Sequence, residues 1–126
     1  MLNNSIKLVN PLVFLDLAST DIDLNKARIV RISTIKILPD STKIFVTNLI
    51  NPEHKISKEA VKIHGISQKM IENEKPFSNY AESISKHLAG CDIVGFGIKR
   101  YSLPLLRKEF RKAKVYFSIR NRSVID

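Results

Sequence analysis

The sequence predicts an α/β fold built on a mixed sheet with an antiparallel three-strand start, and three patterns carry this prediction. Residues 12–17 (LVFLDL) form an apolar run broken by one acid, which indicates a buried strand. β-branched residues dominate 28–38, and a second such run at 43–50 follows a Pro-Asp-Ser turn, as in an antiparallel hairpin. Apolar residues then recur at helical spacing over 77–88, ahead of a brief apolar strand at 91–96.

The remaining segments carry helix signals. Ser57 and Ser67 are suited to cap two short helices, and Gly65 is suited to end the first of them. A further helix is predicted over 103–112, with a proline in its first turn, and residues 115–126 are predicted as a weak strand or extended tail. No repeat, low-complexity tract or linker interrupts the chain, so residues 1–126 are predicted to form a single domain.

The composition points to a basic protein with an ordinary core. The 126 residues are 44% hydrophobic, enough for one core, and the formal net charge is +9. Such a surplus favours polyanions such as nucleic acid, because phosphate contacts release counterions. A merely solvated basic surface explains the same charge equally well.

Cysteine content and hydropathy set the expected compartment. Cys91 is the single cysteine, so the chain offers neither a disulfide framework nor a cysteine-based zinc site, and a reducing cytoplasmic setting is expected. The N-terminal residues 1–11 lack a long apolar stretch, and no run approaches the roughly 20 apolar residues of a membrane span. We therefore expect no targeting segment and no membrane partner.

Three ordered segments narrow the fold further. Residues 12–21 (LVFLDLASTD) resemble a motif of the pattern Asp-x-Glu-Thr-Thr-Gly, and residues 48–71 contain an Asn-Pro followed by His-Gly-Ile-Ser. Residues 93–106 (IVGFGIKRYSLPLL) resemble a motif in which Gly-x-Asn precedes Phe-Asp-x-Pro-x-Leu. Together they resemble the DEDD 3′→5′ exonucleases, the family of the epsilon proofreading subunit of DNA polymerase III. The resemblance covers nearly the whole chain and implies an RNase H-like (exonuclease) fold acting on nucleic-acid ends.

The resemblance also implies a metal-dependent chemistry. Phosphodiester cleavage in this family uses two Mg²⁺ or Mn²⁺ ions roughly 3.5 to 4 Å apart. Hard cations take carboxylate ligands, and the Asp-x-Glu spacing puts two of them on one face of a strand. A second-motif Asp and a third-motif Asp complete the ligand set, and a third-motif His is the general base.

This sequence departs from that ligand set at most positions. Asp16 stands at the first ligand position, but Ala18 replaces the Glu and Ser102 replaces the second-motif Asp. The chain ends at Asp126 in a stretch resembling the segment between the second and third motifs, so the third motif and the last helix are expected to be missing. One carboxylate cannot neutralise two dications, so metal binding is predicted to be weak or absent and catalysis impaired. Asp16 suits capping of the turn after its strand as well as residual metal binding.

Seven residues are predicted to contact nucleic acid: Ser19, Thr20, His64, Phe96, Lys99, Arg100 and Tyr101. Ser19 and Thr20 follow the first motif, where the family touches the terminal nucleotide, but they are also ordinary turn residues. His64 borders that nucleotide in the family, yet it also suits the C-terminal end of a helix dipole. Phe96 and Tyr101 are candidates for base stacking. The two other histidines, His54 and His87, are expected to be exposed.

The basic surplus is concentrated late in the chain. Nine of the 21 Lys and Arg residues lie between Lys99 and Arg122, with Glu109 the single acid among them. The sequence predicts that this cluster lies beside the site and follows a single-stranded path, although a solvated helix face explains it equally well.

Two hypotheses from different classes follow. The first is a DEDD-family exonuclease acting on single-stranded 3′ ends of DNA or RNA, impaired in this chain. The second is a non-catalytic module that binds nucleic acid or protein. Loss of the last helix is expected to uncover apolar sheet surface, which predicts self-association or marginal stability.

Overall fold

The computed structural model describes residues 9–126, in which one five-stranded sheet has the order β3-β2-β1-β4-β5. The strands are β1 (Leu12–Ser19), β2 (Ile29–Ile37), β3 (Lys43–Leu49), β4 (Asp92–Val94) and β5 (Val124–Ile125). β1, β2 and β3 are antiparallel neighbours, whereas β4 is parallel to both β1 and β5. The predicted α/β fold with an antiparallel three-strand start is confirmed. The expectation about the N-terminus falls mostly on residues 1–8, which lie outside the described residues.

Four α-helices accompany the sheet: α1 (Lys58–His64), α2 (Gln68–Ile71), α3 (Ala81–Leu88) and α4 (Leu103–Ala113). The Ser57 side chain accepts a hydrogen bond from the Ala60 backbone N–H at 3.1 Å, and Gly65 ends α1 in the left-handed conformation at φ 74°. Both predicted boundaries of α1 are therefore confirmed, and they follow from local chemistry alone. Among the described residues, no helix is long and apolar enough to cross a bilayer.

Two predicted elements differ from the structure. The predicted helix over 77–88 is a 3₁₀ turn at Phe77–Asn79 followed by α3, because the Tyr80 N–H bonds to the Phe77 carbonyl three residues back. The predicted strand over 91–96 ends at Val94. Gly95 follows it, and a Cβ at that position would lie 2.6 Å from the Leu15 carbonyl oxygen. The chain leaves the sheet there, so Phe96 is exposed rather than part of a buried strand.

The two faces of the sheet have different surroundings. Alternate residues of β1, Val13 and Leu15, share one core cluster with α3 and α4, whose Phe110 is almost fully buried. The other residues of β1 point to the opposite face, where Ala18 packs in a smaller cluster with Ala60 of α1. Phe14 and Asp16 on that face are exposed, and we call this the open face.

Two polar residues, Glu109 and His87, are less exposed than the sequence indicated. Glu109, counted in the sequence as the single acid of a basic segment, is only 1% exposed and accepts hydrogen bonds from the Arg28 guanidinium at 3.0 to 3.1 Å and from the Ile29 N–H at 2.8 Å. His87 was predicted to be exposed and is half-buried. Its ring Nε2 lies 2.9 Å from the Thr34 hydroxyl, and burial, with Lys36 nearby, lowers the pKa of the imidazole. His54 is exposed, as predicted.

Candidate functional site

A cleft of about 510 Å³ opens on the open face at the end of β1. Its lining combines two acids, one guanidinium, a histidine, a tyrosine and apolar side chains: Asp16, Leu17, Ala18, Ser19, Asp21, Ile22, Arg31, Ala60, Ile63, His64 and Tyr101. β1 supplies Asp16 and Ala18 to one face because side chains two residues apart in a strand point the same way. His64 also lines this cleft, so the fold brings together the first motif and the His-Gly-Ile segment, which are far apart in sequence.

The strand pairing puts a cation beside the first motif. In the β1–β2 register Asp16 is opposite Ser33 and Ala18 is opposite Arg31, whereas Ser19 is opposite Ile29. The residue between, Val30, has no partner in that register, which is the arrangement of a β-bulge. Directly opposed residues of an antiparallel pair share a face, so Arg31 lies next to Ala18 in the cleft.

The carboxylate of Asp16 is 76% exposed, and its contact is with Arg31, whose Nη2 lies 3.9 Å from Asp16 Oδ2. The interpretation of Asp16 as a turn cap has no support, because its side chain forms no hydrogen bond within residues 9–126. Ala18 adds no ligand, and Ser102 is buried at 6% exposure and does not line the cleft. Across the described residues, no group of three or more His, Cys, Asp or Glu side chains is placed to hold a metal ion.

These residues do not fit a two-metal centre. Divalent cations need several oxygen ligands, and here one carboxylate faces a guanidinium that already carries positive charge. An added dication would be repelled by Arg31, and of the two acids in the lining, Asp21 already accepts a hydrogen bond from the Asp23 N–H through Oδ1. No step of a reaction is therefore assigned to a metal at this site.

His64 lies in the cleft, but both of its ring nitrogens are used. Nδ1 accepts a hydrogen bond from the Ile66 N–H at 3.0 Å, and Nε2 lies 2.8 Å from the Ser19 carbonyl oxygen. An acceptor at Nδ1 and a donor at Nε2 correspond to the neutral imidazole with its proton on Nε2. His64 therefore ties the end of α1 to β1, and neither nitrogen is left for a ligand or for proton transfer.

The hydroxyl groups after β1 are engaged in a similar way. Thr20 is buried and its hydroxyl accepts a hydrogen bond from the Arg28 N–H at 2.9 Å. The Ser19 and Tyr101 hydroxyl oxygens are 2.6 Å apart, and both approach the Asp21 carbonyl oxygen, at 2.8 and 2.5 Å. Burial raises the pKa of Tyr101, against the opposing effect of the Ser19 contact, so its phenol remains a donor. These side chains fix the loop that bounds the cleft.

The other predicted contacts are not gathered in the cleft. Phe96 is fully exposed and lines an apolar groove of about 450 Å³ with Phe14, Ile35 and Phe45, which adjoins the cleft because Asp16 lines both. Tyr101 lines the cleft and Phe96 lines the groove, and their role as stacking groups stays a prediction.

The basic segment is divided by the sheet. α4 packs on the core face through Leu105, Leu106 and Phe110, so its exposed cations lie on the side away from the cleft. Lys108 is also engaged internally, because its ammonium group donates to three backbone carbonyls of the loop after β1. The prediction that the whole cluster lies beside the site is wrong. Lys99 and Arg100 are exposed on the π-helical turn Ile98–Ser102, which also carries Tyr101.

Comparison with known proteins gives the family. The profile of the family described as Exonuclease (RNase_T) matches residues 13–126. The chain belongs to this exonuclease family. A comparison with curated proteins found no significant match.

Solved structures extend the comparison to three dimensions. The exonuclease domain is similar to E. coli exonuclease I in its metal-free complex with single-stranded DNA, with a TM-score of 0.82 and 16% identity over 93% of this chain and 28% of that one. The complex of the same enzyme with a dT13 oligonucleotide gives a TM-score of 0.81 at 16% identity, with the same shares covered. The likeness establishes the RNase H-like fold. The domain spans less than a third of the length of exonuclease I.

Sequence reasoning missed two charged residues of the cleft, Asp21 and Arg31. The alternation of side chains in β2 placed Arg31 on one face with Ser33 and Ile35, and this could have marked Arg31 as a candidate. Which residues of β1 lie opposite that face depends on the strand register and on the bulge, and neither can be derived from the sequence of β2 alone.

Proposed function

We propose that this domain is an epsilon-like, 3′→5′ type member of the exonuclease family that binds single-stranded nucleic-acid ends and is catalytically impaired. The observation that carries the proposal is the pairing of Asp16 with Arg31 at 3.9 Å, where the family resemblance calls for carboxylates and two metals. In this cleft the positive charge of a guanidinium stands where the family resemblance calls for metal ions. A guanidinium attracts phosphate, but it does not convert a bound water into a nucleophile as a metal ion does. Binding of Mg²⁺ or Mn²⁺ is accordingly proposed to be weak or absent.

Two features support nucleic acid as the partner. The net charge of +9 favours polyanions, and Lys99 and Arg100 are exposed on the turn that leads to the cleft-lining Tyr101. Exonuclease I, which shares the fold, has been solved with dT13 and dA16 oligonucleotides. The proposed ligand class for this chain is the 3′ end of single-stranded DNA or RNA.

The test combines binding with digestion. Fluorescence anisotropy with a 3′-labelled single-stranded oligonucleotide should show binding that weakens as salt rises, because phosphate contacts release counterions. The same oligonucleotide incubated with Mg²⁺ or Mn²⁺ should stay intact, with E. coli exonuclease I as a positive control for digestion.

Two results would overturn the proposal. Metal-dependent digestion that disappears in Asp16→Ala would identify a working nuclease. Absence of both salt-dependent binding and digestion would remove nucleic acid as the partner.

Self-association is a further part of the proposal, through the apolar groove on the open face. In the strand register, Phe14 is opposite Ile35 and Ile35 is opposite Phe45, which makes a continuous apolar row across three strands, and all three side chains are exposed. Exposed apolar rows of this kind favour contact with a second copy. We expect sedimentation equilibrium at high protein concentration to show a species above monomer mass, reduced in Phe45→Ser. A single monomeric species for the unmodified chain would contradict this prediction.

A further inference from the structure

We infer that Arg31 forms a phosphate-binding site in the cleft that works without a divalent metal. This inference rests on the proposed function and specifies its ligand chemistry. The group recognised is the phosphate of a nucleotide or of a single-stranded 3′ end. The juxtaposition that carries it is a guanidinium directly opposite Ala18, the position where the family resemblance calls for a metal-ligating carboxylate.

The hydrogen-bonding state of Arg31 is the first support. Its Nε is buried and has no hydrogen-bond partner within residues 9–126, and its side chain is 29% exposed. A buried donor left unpaired costs about 1 to 3 kcal/mol, so a buried guanidinium normally has its donors occupied. Arg31 therefore lines the open cleft with one donor unused, and a ligand there can engage Nε once the side chain turns towards it.

Within the part of the chain that the structure describes, Arg31 has one charged contact, and it is too long to be a hydrogen bond. The Nη2 to Asp16 Oδ2 distance is 3.9 Å, beyond a hydrogen bond, and the Asp16 carboxylate is mostly in solvent. An exposed pair of this kind is worth about 0 to 1 kcal/mol. Asp16 is therefore a weak competitor for the guanidinium, and a phosphate offers more oxygen acceptors in a geometry that matches the planar fork.

The charges around the cleft set the sign of each variant's effect. Among residues 9–126, Arg31 is the single Lys or Arg side chain in the lining, while Asp16 and Asp21 are the two acids and the neutral His64 is fully hydrogen-bonded. Asp16 therefore opposes an anionic ligand that Arg31 attracts. A metal site would show the reverse dependence, because there the carboxylate would hold the cation that binds the phosphate.

The experiment measures binding of three probes by the purified full chain, in EDTA and again in Mn²⁺. The probes are inorganic phosphate, dTMP and a short single-stranded oligonucleotide. The Nε–H resonance of Arg31 in ¹H–¹⁵N spectra, assigned by its loss in Arg31→Gln, reports a change in the surroundings of the guanidinium. In EDTA we expect dTMP to shift this resonance and Arg31→Gln to weaken dTMP binding roughly 10- to 100-fold, the size of a lost charge-assisted hydrogen bond.

Two matched variants complete the design. Asp16→Asn should tighten dTMP binding by about fivefold, since it removes one repelling charge. Arg111→Gln removes an equal positive charge from the exposed face of α4, on the other side of the sheet, and should leave dTMP binding unchanged. Binding of dTMP without inorganic phosphate binding would assign the site to nucleotides, whereas equal binding of both would assign it to the phosphate group alone. Either result supports the site.

The inference is overturned if dTMP binding needs Mn²⁺, if Asp16→Asn weakens it, or if Arg31→Gln leaves both dTMP affinity and the Nε resonance response unaltered. These outcomes are separable from failure of the proposed function. Loss of oligonucleotide binding to the unmodified chain overturns both proposals. Oligonucleotide binding that persists in Arg31→Gln and stays salt-dependent leaves the proposed function standing and removes only this site.

Discussion

Replacing Glu109 by Ala should lower the free energy of unfolding by about 3 to 5 kcal/mol, the typical cost of removing one partner of a buried ion pair. The carboxylate is 1% exposed, accepts from Arg28 through both oxygens and also accepts from the backbone of Ile29. Without it, a partly buried guanidinium and a buried N–H at the start of β2 lose their partner. Urea unfolding followed by circular dichroism measures the effect.

Three variants make the Glu109 result interpretable. Glu72→Gln removes an exposed carboxylate and should change stability by less than about 0.5 kcal/mol. Glu109→Gln keeps an acceptor oxygen, so its loss should be smaller than that of Glu109→Ala and still measurable if the latter does not fold. Replacing both partners, with Arg28→Met and Glu109→Leu, should recover much of the loss. A loss below about 1 kcal/mol for Glu109→Ala would show that the pair does not anchor α4 to β2.

Restoring two family carboxylates, Ala18→Glu together with Ser102→Asp, should leave the protein without nuclease activity. The carboxylate introduced at position 18 would be opposite Arg31 in the β1–β2 register and would pair with it instead of remaining free for a cation. Position 102 is buried, so a charge introduced there is costly. Digestion of a 3′-labelled oligonucleotide in Mn²⁺ should remain at the level of the no-protein control.

The same double variant should also be less stable. Ala18 is 5% exposed and packs in the cluster that contains Val30, Ile56 and Ala60, so a longer side chain there should cost about 1 to 3 kcal/mol through overpacking. Thermal unfolding of the double variant beside Ser102→Asp alone separates the contribution of position 18. Metal-dependent digestion by the double variant, inhibited by EDTA, would contradict the assignment of Arg31 as the group that excludes metal.

Much of the fold was predictable because its signals are local. The Ser57 cap, the Gly65 terminus and the β2–β3 hairpin depend on residues close in sequence, and each lies where the pattern placed it. The boundary at Tyr80 between the 3₁₀ turn and α3 was missed. Over so few residues, a 3₁₀ turn followed by a helix shows the same spacing of apolar residues as one continuous helix. The burial of Glu109 was missed because its partner, Arg28, is distant in sequence.

The sequence by itself determined the element order, the family resemblance and the presence of Asp16 beside Ala18, since these depend on residue identity and short-range spacing. Tertiary structure alone decided which side chains lie next to Asp16 and Ala18. The bulge after Ala18 brings Arg31 to the metal-ligand position, His64 is held by the Ser19 carbonyl, and most of the exposed cations of α4 lie across the sheet from the cleft. The physical reason is that charge acts through space, and which charges lie close together depends on strand register and helix packing rather than on distance along the chain.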